Sequence, residues 1–352
     1  MIISQSRPLF HKTDFDYIKN IIKTGQIAKG IYLERLQNEF AKAIDIRHAF
    51  ATSSGTAALH LALLSLDVKK GDEIIIPSYT CTAVLNAINY IGATAVLVDV
   101  DPETFNITRN IIKNKITKRT KLIIVTHTSG FPADLDGILK LGIPVIEDCA
   151  QALGSTYKGK PCGRKGIISI FSLYATKMIA AGEGGVVCTN DKRISENIQD
   201  LNNYDMRNSF RVRYNYKMSD LTAGIVLSQL KKLDYFVKRR ILIAQQYKKA
   251  FSFLPFEFQK ALPKASPNYY RFVVCSPLAK KIINITRKYK VMCDRPIYKP
   301  LHHYLNTGRG DFQGTDYLWK QAISIPIYPA LSNKEILTII DAVHKSVKKI
   351  VR

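Results

Sequence analysis

Between residues 49 and 189, short apolar runs alternate with stretches of helical periodicity, and this alternation restricts the fold more than any other feature. Residues 49–52, 73–76, 95–98, 121–126, 144–146 and 167–172 read as strands. Residues 57–66 and 82–90 read as helices between them, and 186–189 as a returning strand. Strands joined through helices must run largely parallel, because a parallel neighbour needs a crossover connection. The expected class is therefore α/β, with a large, mostly parallel sheet. Residues 14–24 and 32–44 form an expected N-terminal helical segment, 221–249 a long helical run, and 334–348 a closing helix. After residue 254 the texture changes to proline-containing loops and short strands such as 270–274. This places a large cofactor-binding domain at 1–240 and a smaller C-terminal substrate-side domain at 241–352, a division that 352 residues accommodate.

Bulk properties narrow the function. The 46% hydrophobic fraction is ordinary for a globular chain. The apolar stretch 166–187 is long enough for a membrane span, but Lys177, Glu183 and a cluster of glycines interrupt it, so no span is expected. The N-terminus has no basic region followed by an apolar core, so no signal peptide is expected. Six scattered cysteines without a CxxC pair favour free thiols in a reducing cytoplasm over a disulfide framework or a metal site. The net charge of +24 is spread along the chain and is mostly lysine. No helix-turn-helix, zinc-finger or RNP-like pattern accompanies it, so nucleic acid is not the expected partner. A basic surface does suit an anionic substrate such as a nucleotide diphosphate.

Three constellations carry chemistry. Thr52-Ser53-Ser54-Gly55-Thr56 follows a strand and opens a helix, where small residues and free N–H groups can cradle a phosphate. Val145-Ile146-Glu147-Asp148 ends an apolar strand in an acid, so Asp148 could pair with a pyridinium nitrogen and keep it protonated. Lys177 lies in Ser172-Leu173-Tyr174-Ala175-Thr176-Lys177, followed by Gly182-Glu183-Gly184-Gly185. Burial favours the neutral amine, the form that makes a Schiff base with an aldehyde cofactor. Each feature alone has an ordinary explanation: a helix cap, an ion-pair partner, a lysine reaching solvent. Their order along the chain is what gives them specificity.

Together with Gly71-Asp72-Glu73, Val98-Asp99-Val100-Asp101, Pro132-Ala133-Asp134 and Tyr214-Asn215-Tyr216-Lys217-Met218-Ser219-Asp220, these residues closely resemble the DegT/DnrJ/EryC1/StrS sugar aminotransferases. The resemblance runs from about Arg7 to the closing helix and includes Ser324-Ile325-Pro326-Ile327-Tyr328-Pro329. It implies a fold-type I enzyme dependent on pyridoxal 5'-phosphate (PLP). The substrate would be a keto sugar, usually nucleotide-linked, with L-glutamate as amino donor. Lys177 would form the Schiff base and move the proton. Asp148 would pair with the pyridinium nitrogen, and Gln151 would contact the ring's hydroxyl side. Gly55, Thr56 and Ser172 would hold the phosphate. Asn215 would reach the phosphate of the neighbouring subunit, implying a homodimer with shared sites. His302 matches a histidine of the substrate-side loop, with Arg295 and Tyr298 as further candidate substrate contacts.

The chain departs from the family pattern at one position. Many relatives place an aromatic residue on the cofactor ring where this chain has Cys81. Tyr79 lies two residues before it, and either residue is a candidate to cover the ring. A dehydratase or deoxygenase on the same scaffold is the nearest alternative activity, but that branch replaces the Schiff-base lysine with histidine, and Lys177 argues against it. A basic nucleic-acid-binding or regulatory protein is the alternative from another class, and the ordered trio disfavours it.

Overall fold

The computed structural model describes residues 2–306 and 311–351. Strands β1 (His48–Thr52), β2 (Glu73–Pro77), β3 (Thr94–Val98), β4 (Thr120–Thr126), β5 (Val145–Asp148), β6 (Thr156–Tyr157), β7 (Lys160–Pro161), β8 (Ile168–Ser172) and β9 (Gly185–Thr189) come first in the chain. Seven of them form one sheet in the order β1-β9-β8-β5-β4-β2-β3. From β3 to β8 every neighbouring pair is parallel. Only β9 runs the other way, antiparallel to both β8 and β1. β1 therefore points the same way as β8, and the carboxyl ends of β1, β2, β4, β5 and β8 share one edge.

Period-two burial explains how both faces are covered. Ile74 and Ile76 pack with Ala58, Leu59, Ala62 and Leu63 of the Gly55–Ser65 helix, together with Ile146, Ile170 and Val187. Ile75, between them, turns to the opposite face and meets Val98, Phe105, Ile123 and Leu135. The Gly55–Ser65 helix is apolar nearly all round, with residues 57–63 all buried, as suits a helix held between the sheet and other helices.

The N-terminal helices Lys12–Thr24 and Ile31–Ile44 pack on the helix Asp220–Leu230. Buried Asp220 accepts from the Leu33 N–H at 2.7 Å and caps the second of them. The long helix expected over 221–249 is broken: one helix ends at Leu230 and the next, Leu233–Phe251, begins after a corner at Lys231 and Lys232. The cause lies 218 residues away in sequence. Buried Asp14 pairs with Lys232 at 2.5 Å and accepts from Gln229 Nε2 at 3.1 Å, so one carboxylate fixes both sides of the corner.

The C-terminal part is built on β10 (Glu257–Phe258), β11 (Ala265–Ser266), β12 (Phe272–Cys275) and β13 (Ala322–Ile325). β10, β12 and β13 form an antiparallel sheet, and β11 joins the hairpin β6–β7. Tyr247, Phe251, Phe272, Ile282, Ile323 and Ile339 make its core, and Ile3 returns from the N-terminus to join them. The helices Ala279–Lys288 and Gln313–Gln321 lie where only loops and short strands were expected, whereas β13 is such a short strand.

Candidate active site

The shared sheet edge gathers the expected cofactor residues. At the end of β1, Ser54 adopts extended backbone and its Oγ accepts from the Ala57 N–H at 3.0 Å. That bond caps the third helical N–H. The Gly55 and Thr56 N–H groups then have no acceptor among the described residues, and they head an 11-residue helix. A Cβ at Gly55 would lie 2.9 Å from Ser172 Cβ, and one at Gly185 would collide with the Ser54 carbonyl. The helix start, the last residue of β8 and the first of β9 thus close around a concave cradle that only glycine allows. Ser172 is half-buried there, and its hydroxyl makes no hydrogen bond within the described chain.

Asp148 is the last residue of β5 and is 4% exposed. Its Oδ1 accepts from the Ala150 N–H at 3.0 Å, while its Oδ2 has only Thr126 Oγ1 at 3.5 Å. Burial raises its pKa, with the Ala150 N–H and the Lys177 ammonium pulling the other way. A buried carboxylate so weakly paired is suited to a cationic N–H partner. Neighbouring Glu147 is fully engaged instead. It accepts from the N–H groups of Gly163, Lys165 and Gly166 at 2.8, 2.7 and 2.6 Å and from His127 Nε2 at 3.1 Å. His127 Nδ1 accepts from the Ala133 N–H, so the ring proton sits on Nε2 and points at Glu147.

Lys177 lies in the turn after β8 and is half-buried. Its Nζ is 5.1 Å from the centroid of the Tyr270 ring. Burial works to raise the Tyr270 phenol, but Lys177 and then Arg271 outweigh it and bring it down to about 8. Cys81 is open to solvent at the head of the helix Thr82–Ile91. The protein surrounding its sulfur raises the thiol, Asp148 adds to this and Lys177 opposes it, so all three groups share one electrostatic environment. Tyr79 is elsewhere. It is 1% exposed, edge-on to Phe105 at 6.4 Å and packed in the core with Ile75 and Val125, its hydroxyl unpartnered. A single residue, Thr80, separates Tyr79 from Cys81, but the two face different parts of the protein.

Gln151 Oε1 accepts from the Ser129 N–H at 2.8 Å, which leaves its Nε2 as the available donor. Asn215 lies beside the cradle, since the Tyr216 carbonyl accepts from the Ser53 N–H at 2.7 Å. Tyr214 and Tyr216 stack on each other, both rings against His60, whereas Asn215 between them is exposed. The preceding segment exposes Met206, Phe210 and Val212.

The candidate substrate residues form a separate group around Trp319. Arg295 lies over the Trp319 ring at 4.5 Å, and Trp319 Nε1 donates to the Tyr298 carbonyl at 3.0 Å. The Tyr298 side chain is 87% exposed. His302 is buried, 2.7 Å from Ser78 Oγ through Nδ1 and 3.3 Å from Asp316 through Nε2. No hydrogen bond or ion pair among the described residues joins this group to Lys177 or Asp148. A cavity of about 1010 Å³ is lined by Asp101, Glu103, Glu257 and Tyr317 among others, and by none of the residues expected to bind cofactor or substrate.

The sequence reading missed Tyr270, Arg271 and His127. The tyrosine and arginine sit in the run Asn268-Tyr269-Tyr270-Arg271-Phe272-Val273-Val274, where an arginine directly before a buried strand was the available signal.

The profile of the DegT/DnrJ/EryC1/StrS aminotransferase family matches residues 8–344. The chain belongs to this family. Among curated relatives, this aminotransferase is 34% identical over 345 residues to the GDP-perosamine synthase of Escherichia coli O157:H7, covering 94% of each chain. Among solved structures, it superposes on the aminotransferase TlmJ of Streptoalloteichus hindustanus with a TM-score of 0.95, at 27% identity over 100% of both chains. The Spr1654 protein of Streptococcus pneumoniae, solved in a PLP form, gives a TM-score of 0.93 at 24% identity over 100% of both chains, a likeness of fold. The α/β class with one large, mostly parallel sheet is the fold these structures share.

Proposed function

We propose that this aminotransferase takes an amino group from L-glutamate and places it on the ketone of a nucleotide-linked sugar, using PLP. The observation that carries the reading is the convergence at one sheet edge of a helix N-terminus with two free N–H groups, a weakly paired buried carboxylate and Lys177. The relative named GDP-perosamine synthase supports a sugar substrate and makes GDP the first nucleotide to test.

The residues present fit PLP. The Gly55 and Thr56 N–H groups and the Ser172 hydroxyl would hold its phosphate, with the helix dipole assisting. Asp148 would accept from the ring N–H and keep it protonated. The free Nε2 of Gln151 would donate to the ring's hydroxyl side. Cys81, sharing the electrostatic environment of Asp148 and Lys177, would border the ring. When bound, PLP supplies an electron sink that acidifies the carbon bearing the amino group. Lys177 Nζ would hold the cofactor between turnovers, then take the proton from that carbon and return it on the other side of the transfer. Tyr270, under the ammonium, would orient it and hold solvent away from that flank.

Asn215 would complete the phosphate site of a neighbouring subunit, giving a homodimer with shared sites. Its outward position, and the exposed Met206, Phe210 and Val212 before it, support that reading. Arg295, Tyr298 and His302 would act on the substrate side, with His302 positioning the loop through Ser78 and Asp316. The division near residue 240 would fall along the Leu233–Phe251 helix, whose Ile243, Tyr247 and Phe251 enter the C-terminal core. Among the described residues no helix is long and apolar enough to cross a membrane. A cytoplasmic location suits a chain whose cysteines are free thiols.

Purified protein loaded with PLP should show a visible absorption band that L-glutamate removes and a GDP-linked keto sugar restores. A band that no amino acid alters would overturn the reading.

A further inference from the structure

Beside Lys177, positive charge collects in a cleft with no acid to balance it. The cleft, of about 50 Å³, is lined by Gln5, Ser6, Thr176, Arg240, Tyr270 and Arg271, with Ser324 behind. Arg240 is 3% exposed. Its Nη1 is spent on the carbonyls of Tyr269, Tyr270 and Ile327, and its Nε is buried with no partner. Burial first, and the Arg271 charge as well, pull its pKa down to about 10. Arg271 immediately precedes β12 and is half-buried. Its Nη1 donates to Ser324 Oγ at 3.2 Å, and it makes no ion pair among the described residues. Its guanidinium carbon lies 5.4 Å from the Tyr270 ring centroid, and Lys177 Nζ lies 5.1 Å from the same centroid.

A guanidinium and an ammonium at one buried ring, with the Arg240 guanidinium on the carbonyl of the same residue, form an unsatisfied arrangement. Desolvated cations are costly unless an anion joins them. The anion must be small. A cleft of this size holds a few heavy atoms and has no room for a nucleotide diphosphate. An α-amino acid carries a carboxylate one carbon away from the amine that must reach the Lys177 position. Arginine's planar fork matches a carboxylate in two parallel bonds.

We propose that this cleft binds the carboxylate of the amino donor, with Arg271 as its fork-shaped anchor and Arg240 as a fixed charge beneath it. This rests on the donor reading given above. Arg271 is thereby a specificity residue for the first half of the reaction, selecting amino acids over simple amines.

The test uses holoenzyme carrying Arg271→Gln or Arg271→Lys, each checked for bound cofactor and thermal stability. Loss of the visible band is titrated with L-glutamate, and glutarate, an unreactive dicarboxylate, is titrated separately by thermal shift. With Arg271→Gln, the L-glutamate concentration giving half conversion should rise at least tenfold, and stabilisation by glutarate should vanish. Arg271→Lys, which keeps charge but loses the fork, should fall between. A folded Arg271→Gln protein with unchanged half-conversion and unchanged glutarate binding overturns the proposal. If Arg271→Gln does not fold, Arg271→Lys with wild-type behaviour in both titrations overturns it equally. Failure of the donor reading has a different signature: the wild-type band ignores every amino acid, while glutarate binding still reports on the cleft.

Discussion

Replacing Lys177 by alanine removes an amine whose Nζ stands over Tyr270 and within the field of Asp148. Turnover should fall by at least about 10³-fold, the scale of losing a positioned proton-transfer group, and steady-state assays of both half-reactions would measure it. Asp148→Asn keeps the shape of the side chain and removes its charge. The rate should drop on the order of 10²–10³-fold with folding intact, as when one preorganised electrostatic contact is lost. Equal half-reaction rates in the Asn variant would refute the pairing role. Cys81 and Tyr79 separate by burial. Cys81→Phe should slow cofactor loss on dialysis, by no more than about 1 kcal/mol of stacking. Tyr79→Ala should cost about 3–5 kcal/mol of stability, because it empties a core site. If Tyr79→Ala instead released cofactor selectively from a stable protein, the placement of the ring beside Cys81 would be wrong. At this scale the sequence was readable where residue type and chemistry coincide. Gly55 and Asp148 each stand at the junction of an element and a loop, and Lys177 lies in the turn after β8. Tyr270 was not readable, since its meaning comes from a contact with Lys177 made across more than ninety residues, and Arg271 takes its meaning from Tyr270.

The loop 163–166 leads into β8, the strand before Lys177, and one side chain holds it. Glu147 is fully buried and accepts four hydrogen bonds, three from that loop and one from His127. Burial works to raise its pKa, but the His127 and backbone N–H donors outweigh it, so the pKa is lowered from 4.5. A carboxylate depressed on folding contributes stability above its unfolded pKa, and that contribution fades as pH falls through the folded value. Thermal melts should therefore lose stability below about pH 4.5. Glu147→Gln should be less stable by about 3–5 kcal/mol at neutral pH and show a flatter acid limb. A variant with the wild-type melting temperature at pH 7 would contradict this account of the loop. The strands were legible because apolar runs of four to seven residues between helices have few other uses. The corner at Lys231 and Lys232 was not, because local periodicity continues through it and its cause is Asp14, brought in by the fold.

Over the whole molecule, the proposed homodimer would draw each site from two subunits. Asn215 faces outward next to a segment exposing Met206, Phe210 and Val212. Mixing inactive Lys177→Ala subunits with inactive Asn215→Ala subunits should restore activity, since each mixed dimer contains one site with both native residues. About a quarter of all sites should recover after random exchange. No recovery with exchange confirmed would leave Asn215 a surface residue. The fold class was visible in the alternation of elements, but the reversed strand β9 was not, because direction within a sheet leaves no mark on a five-residue apolar run. The central claim is that Lys177 carries the cofactor, and reduction of the PLP-loaded protein with borohydride followed by peptide mass spectrometry tests it most directly. The account predicts a single pyridoxyl-phosphate adduct on the peptide containing Lys177. An adduct fixed on any other lysine, or none on a protein that holds its cofactor, would contradict it.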